Sequence, residues 1–314
     1  MVKYILKRVG QAVLIIFLVS IITFFLVSIM PKDPVYALFG SDISLEDYQV
    51  KYVELGLDKP IIVRYLSWLG GVLKGDFGTS YQYRVAVTEV MASKIGVTLY
   101  LAILSTLISF PIGILFGVLT AVKRGKWQDT VFTLLANLCA SIPGFVVALV
   151  CLWIFCMKLQ LLPSSGFTFP WKDWSAYSKQ IVMPLFCLSL SGIASLTRQT
   201  RSSMLEAIRQ DYVRTARSKG IKENKIITKH VIRNGLVPVI TLFGDRLSQM
   251  IGGSVFIENV FTIPGMGTLM VNAVNSVDVP VIQACVFLTS AMICFAYLVT
   301  DMLYIAVDPR ITLN

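Results

Sequence analysis

The sequence predicts an all-α membrane protein with six transmembrane helices and both termini cytoplasmic. Three observations predict it. Of 314 residues, 55% are hydrophobic and only 15% charged, where soluble domains carry about a quarter charged. The apolar residues gather in blocks of about 20 rather than at amphipathic intervals, as membrane spans do. Lysine and arginine collect on alternate loops, which sets an orientation.

The same numbers exclude several classes. A mean hydropathy of +0.72 leaves too much apolar surface for a disordered chain. A single histidine excludes a two-histidine zinc motif, and no GxxxxGK[ST] occurs. The net charge of +10 belongs to segments that flank spans, so it reads as membrane orientation and not as a nucleic-acid footprint. The six cysteines lie in or beside apolar blocks with no CxxC, as buried thiols do, so no metal site is expected.

Six apolar blocks follow in order: 9–30, 97–122, 131–157, 181–197, 235–257 and 281–305. Each covers a hydrocarbon core of roughly 30 Å at about 1.5 Å per residue. The first follows Lys3, Lys7 and Arg8 but is too long for a signal-peptide core and lacks an A-x-A site, so it reads as an uncleaved span. The fourth is the shortest, and Pro184 and Gly192 interrupt it. With the N-terminus inside, 17 basic residues fall on inner segments and 10 on outer ones, mostly in one long loop. The organisation is then a first span over 1–30, an outer loop subdomain over 31–96, a core of spans two to six over 97–305, and an inner tail over 306–314.

The outer loop carries helix signals of its own. Ser44 and Asp47 form a capping box before Tyr48 to Leu55, with Gly56 as C-cap. Pro60 opens a second helix, Ile61 to Leu73, whose Tyr65 and Trp68 suit a membrane–water interface. Gly70, Gly71, Gly75 and Gly78 mark turns.

The inner loop 198–234 holds ten basic residues, yet apolar residues recur at helical spacing through it: Met204, Leu205, Ile208, then Tyr212, Val213, Ala216. That pattern predicts short helices with an apolar stripe. Gly220, after Arg217-Ser218-Lys219, predicts a C-cap. The stripe needs something to pack on, another protein or anionic headgroups.

Asp245 and Arg246 lie near the middle of the fifth block. Ionisable residues at that depth are costly and functional by default. Adjacent residues point about 100° apart, so each needs its own partner, a wet path or a ligand. Gly113 and Gly117 form a GxxxG in the second block, and Gly244, Gly252 and Gly253 dot the fifth; close helix packing is the simplest role for both sets.

These residues carry a likeness. Asp211-Tyr212-Val213-Arg214-Thr215-Ala216-Arg217-Ser218-Lys219-Gly220, then His230-Val231-Ile232-Arg233-Asn234, resembles the inner loop of ABC importer permeases of the oligopeptide/dipeptide/nickel branch. The wider superfamily's EAA-x3-G is altered to Arg214-Thr215-Ala216 and Gly220, and its later I-x-L-P is absent at the usual offset. Leu55 to Pro60, Gly75 to Ser80, Gly252 to Ser254, Glu258 to Phe261, Pro264 to Gly267 and Asp308 to Arg310 agree in type and order across nearly the whole chain.

The resemblance implies a division of labour in the inner membrane of a prokaryote. A second, homologous permease completes the pathway, two cytoplasmic ATPases hydrolyse ATP, and an extracytoplasmic binding protein delivers solute. This chain would be no enzyme and would bind no cofactor, ATP and magnesium belonging to the ATPases. The region 209–225 would be the coupling helix, with Tyr212, Arg214, Thr215, Ala216, Arg217, Lys219 and Gly220 at the ATPase contact. Asp245, Arg246 and Gln249 are candidates for the translocation path, an ion pair with the sister chain being the other reading of the two charges. Glu258, Pro264, Gly265 and Gly267 would form a gate or receptor ledge. Di- or oligopeptides are the implied cargo; nickel or a metal chelate, and an ATPase-independent channel or scaffold, stand as alternatives.

Overall fold

The computed structural model describes residues 2–30, 33–40 and 42–307. Helices make up nearly all of it: α1 (Val2–Ser28), α2 (Pro34–Phe39), α3 (Leu45–Glu54), α4 (Ile61–Val72), α5 (Val87–Val122), α6 (Trp127–Ser141), α7 (Gly144–Cys151), α8 (Trp174–Ile208), α9 (Asp211–Ser218), α10 (Glu223–Ile226), α11 (Ile232–Gly235), α12 (Val237–Ile240), α13 (Phe243–Val260), α14 (Met266–Asn275) and α15 (Val279–Val307). Wider π-type turns, Leu152–Lys158 and Ile227–Val231, extend α7 and join α10 to α11. The expected helix end at Asp308 and Pro309, and nearly all of the tail, lie outside the described residues.

By length and composition, α1, α5, α8 and α15 can each cross a membrane, and two bent pairs raise that to six. The third expected span is one of these pairs. It is two helices meeting at 96°, not one rod over 131–157. Pro143 is the reason: the residue before a proline is pushed out of the helical region, and Ile142 sits at φ −91°, ψ 123°. The fifth bends by 41° at Leu236, where the Pro238 ring crowds the preceding turn. The fourth expected span is not interrupted. α8 is a 35-residue helix that carries Pro184 and Gly192 inside it, as membrane helices tolerate. It starts where Asp173 accepts from the backbone N–H groups of Ser175 (2.9 Å) and Ala176 (3.1 Å).

The described chain forms two compact units, Met1–Leu99 with Pro264–Phe295, and Tyr100–Ile263 with Ala296–Asn314. In the first, Val87, Met91, Leu269, Val281, Ala284 and Cys285 are among the buried centre. Half of the expected Ser44–Asp47 box forms: the Asp47 N–H donates to Ser44 Oγ (3.1 Å), and the Asp47 carboxylate takes the Ser44 hydroxyl (2.7 Å) rather than its backbone N–H. Asp33 caps α2 by accepting from Val35 N (2.8 Å) and takes the Tyr48 hydroxyl (2.7 Å), a bond that pushes the phenol up to about 12.

Gly56 takes the left-handed conformation expected of it. Gly75 and Gly78 do the same, but Gly70 and Gly71 lie within α4. Tyr65 and Trp68 make contacts within the chain. Tyr65 is buried, shares a hydrogen bond with Ser20 (2.9 Å), and packs edge-on to Phe24, while Trp68 meets Phe24 and Phe287. Their helix is amphipathic, and its aromatic side faces protein. Far along the chain, buried Asp278 accepts from the Ser80 hydroxyl (2.5 Å) and the N–H groups of Tyr81 (3.0 Å) and Gln82 (3.1 Å), which fastens the 79–86 loop ahead of α15.

In the second unit the expected GxxxG packing is present. A Cβ on Gly113 would strike Leu196 and the Ile193 carbonyl, and one on Gly117 would strike Thr200, so α5 and α8 meet backbone to backbone. Gly244 abuts Thr300 in the same way. Gly252 and Gly253 face open space instead, so close packing does not explain them. The six cysteines are free thiols, four of them buried.

Candidate functional site

Three regions carry the residues singled out by sequence. The first is α9 and its cap. Val213 and Ala216, three apart, fall on one face of the helix. They are buried in a cluster with Ala121, Met204, Ala207, Ile226 and Val231. Tyr212, Arg214, Thr215, Arg217, Lys219 and Gly220 lie on exposed positions. Ala216 therefore anchors the helix within its own chain.

The turn after α9 is a Schellman cap. Gly220 N donates to the Arg217 carbonyl (2.9 Å) and Ile221 N to the Ala216 carbonyl (3.3 Å), with Gly220 at φ +70°. Ile221 packs on the same cluster as Ala216, the apolar contact that accompanies such caps. No heavy atom lies within 4 Å of a Cβ built on Gly220, so conformation and not crowding calls for glycine.

Arg217 is half-exposed and already paired within the chain. It donates from Nε and Nη2 to the two carboxylate oxygens of Glu223, at 3.1 and 2.7 Å, and this fork raises its pKa further. Arg214 reaches Asp211 only at 3.9 Å and stays 82% exposed. Asp211 and Arg214 on α9, and Lys219 at its C-cap, are exposed charges of this face.

The second region is the start of α13. Asp245, Arg246 and Gln249 stand in its first two turns, beyond the bend at Leu236 and near the middle of the 235–257 block, on a span that is bent rather than straight. Arg246 donates from Nη1 to Gln249 Oε1 (2.8 Å) and from Nη2 to Ser195 Oγ on α8. Its Nε is buried with no acceptor among the described residues. Asp245 forms no ion pair with Arg246 among the described residues, in keeping with the angle between neighbours on a helix.

The third region is 258–267, where three of the four candidates are buried. Glu258 is fully buried and accepts from the Ser254 hydroxyl (3.0 Å). The chain turns back at Thr262, φ +49°, where Ile263 N reaches the Glu258 carbonyl (2.7 Å). Gly265 and Gly267 are buried at the entry to α14, and Met266 N donates to Thr98 Oγ1 (2.8 Å). Pro264 alone of the four candidates is partly exposed.

One buried pair escaped sequence reasoning. Arg201 on α8 makes a fork to Asp129 at the start of α6, Nε to Oδ1 at 2.8 Å and Nη2 to Oδ2 at 3.0 Å. Gly125 N (3.1 Å) and Thr133 Oγ1 (3.2 Å) complete the carboxylate's partners. It ties the 123–126 turn to the helix that leads into α9. The residues are 72 apart, and the only signal was an acidic residue among cations in a short inner loop.

Residues 1–102 match the family described as binding-protein-dependent transport system membrane component, N-terminal, and residues 113–313 match the binding-protein-dependent transport system inner membrane component. Among curated relatives, the chain is 37% identical to a Brucella ovis chain with peptide permease in its name, over 99% of both chains. It is 36% identical to the oligopeptide transport system permease protein AppB of Bacillus subtilis and 35% identical to the glutathione transport system permease protein GsiC of Salmonella choleraesuis, each over 99% of both chains. Among solved structures it is similar in fold to a chain of the MetNI methionine ABC transporter in an inward-facing conformation. The TM-score is 0.56 at 18% identity, covering 70% of this chain and 97% of that one.

Proposed function

This chain belongs to the family of binding-protein-dependent transport system inner membrane components, as a multi-pass permease subunit of a bacterial ABC peptide transporter, and from there we propose how it works. It takes di- or oligopeptides from an extracytoplasmic binding protein and passes them to the cytoplasm by alternating access. A second homologous permease lines the path with it. Both termini are cytoplasmic. ATP and magnesium sit on two separate ATPase subunits, and this chain performs no catalysis.

The observation that carries the reading is α9. Val213 and Ala216 fasten one side to the chain's own interior, while Tyr212, Arg214, Thr215, Lys219 and Gly220 are left bare on the other. An ATPase can shift the permease only through contacts that differ between its two states. A helix held from behind and open in front delivers such a difference inward. Asp245, Arg246 and Gln249 belong to the solute path. The turn at 258–267 fixes the outer end of α13, with Glu258, Gly265 and Gly267 acting through their buried positions and Pro264 at the surface.

The test is Gly220→Trp in the complete transporter. The chain should insert and assemble with its sister, while ATP-driven peptide uptake falls by roughly tenfold or more, the bulk blocking the seat of α9. Gly220→Ala carries the backbone strain without the bulk and should keep most uptake. Normal uptake by the tryptophan variant would overturn the coupling role of this turn.

A further inference from the structure

Arg246 carries a positive charge at membrane depth, and the groups that hold it are neutral. Its guanidinium donates to Gln249 and Ser195, and its Nε finds no acceptor among the described residues. Arginine inside a membrane segment pairs with an anion or borders a wet cavity. Gln249 borders one. The cavity, about 420 Å³, is walled by Ser191 of α8, Pro143 and Phe145 at the α6–α7 break, and Gly253 and Phe256 of α13.

The walls are specific in kind. Phe145 and Phe256 stand 6.2 Å apart between ring centres and are 42% and 64% exposed. Gly253 leaves open space where a Cβ would project. Gln249 gives its oxygen to Arg246, so its NH2 donors are left for a guest. Gln249 and Ser191 are thus polar side chains in a lining that is otherwise largely apolar. That pattern fits a carboxylate attached to an apolar side chain, with charge-assisted donors for the oxygens.

We propose that this cavity is a waypoint that reads the C-terminal carboxylate of the passing peptide. Gln249 donates to the carboxylate with the Arg246 charge directly behind it, and the last side chain lies against the rings of Phe145 and Phe256, which touch one another. The proposal rests on the peptide-permease reading above and names the chemical group that reading leaves open.

The experiment uses the reconstituted transporter with its receptor saturated. Uptake is compared for one peptide with a free C-terminus and the same peptide amidated, the receptor's own affinity for each being measured separately. Arg246→Met should cut uptake of the free acid roughly tenfold, the loss expected for one charge-assisted contact, and leave the amide almost unchanged. Arg246→Lys should restore part of the preference. Equal loss for both peptides would overturn the proposal in favour of an ion pair with an acid of the sister chain, and no loss for either would overturn it outright. Should Arg246→Met fail to assemble, Gln249→Met makes the same comparison from an exposed position. Absence of ATP-driven uptake of either peptide by the unaltered transporter would sink the broader function as well; intact uptake with unchanged preference in the variants sinks this inference alone.

Discussion

Asp129 and Arg201 show what one buried fork contributes. The carboxylate side chain is 10% exposed and the guanidinium 28%, so neither is rehydrated cheaply when its partner goes. Asp129→Asn should lower the stability of the detergent-solubilised chain by about 3 kcal/mol, read as a drop in thermal midpoint. Arg201→Gln placed on top should return part of the loss, because two neutral amides replace an orphaned charge. Equal additive losses would show that the pair is not an energetic unit. The exposed Arg217–Glu223 fork is a contrast. Both groups are about half exposed, and a pair in that setting is worth about 0–1 kcal/mol. Its use is to stiffen the turn around Gly220, not to hold the fold.

Among elements, the α5–α8 pair depends on two missing side chains. Gly117→Leu should abolish a monodisperse folded yield, since the new side chain lands on Thr200 and the Thr197 carbonyl. Gly252→Leu, where nothing stands within 4 Å, should leave yield unchanged. Similar yields for the two variants would remove the close-packing account of the GxxxG. The bent pair α6–α7 teaches a different lesson about hydrophobicity. Its residues are apolar from 131 to 157, so the block reads as one span, yet the proline at 143 turns the chain by 96°. Composition measures the cost of leaving water; it does not record where a backbone must bend.

For the whole molecule, orientation is the claim with the most consequences, and it rests on the uneven placement of cations. In a background with the native cysteines replaced by alanine, single cysteines at Lys172 and Gln82 should react with a membrane-impermeant maleimide on intact cells. Single cysteines at Lys126 and Lys222 should react only after the membrane is opened. The reverse pattern would invert the topology. Much of the architecture was legible because it is local. Ser44 and Asp47 are three apart, Gly220 follows its helix directly, and the spans are runs of apolar letters. What was not legible depended on distance or on facing. Glu223 lies across a turn from Arg217, Asp278 holds a loop some 198 residues away, and Ala216 faces inward because a helix has a back. Glu258 and Gly265 were singled out by their place in a motif, which says nothing of their burial, a property of the packed chain.

The meeting of α5 and α8 at Gly113 and Gly117 has a mechanical corollary. Two rods that touch along their backbones have no play between them, so neither slips past the other by a turn. α8 passes into α9 through only Arg209 and Gln210. In the coupling role proposed above, a displacement applied at α9 would pass first to α8 and then, across the seam at Gly113 and Gly117, to the part of α5 that touches it.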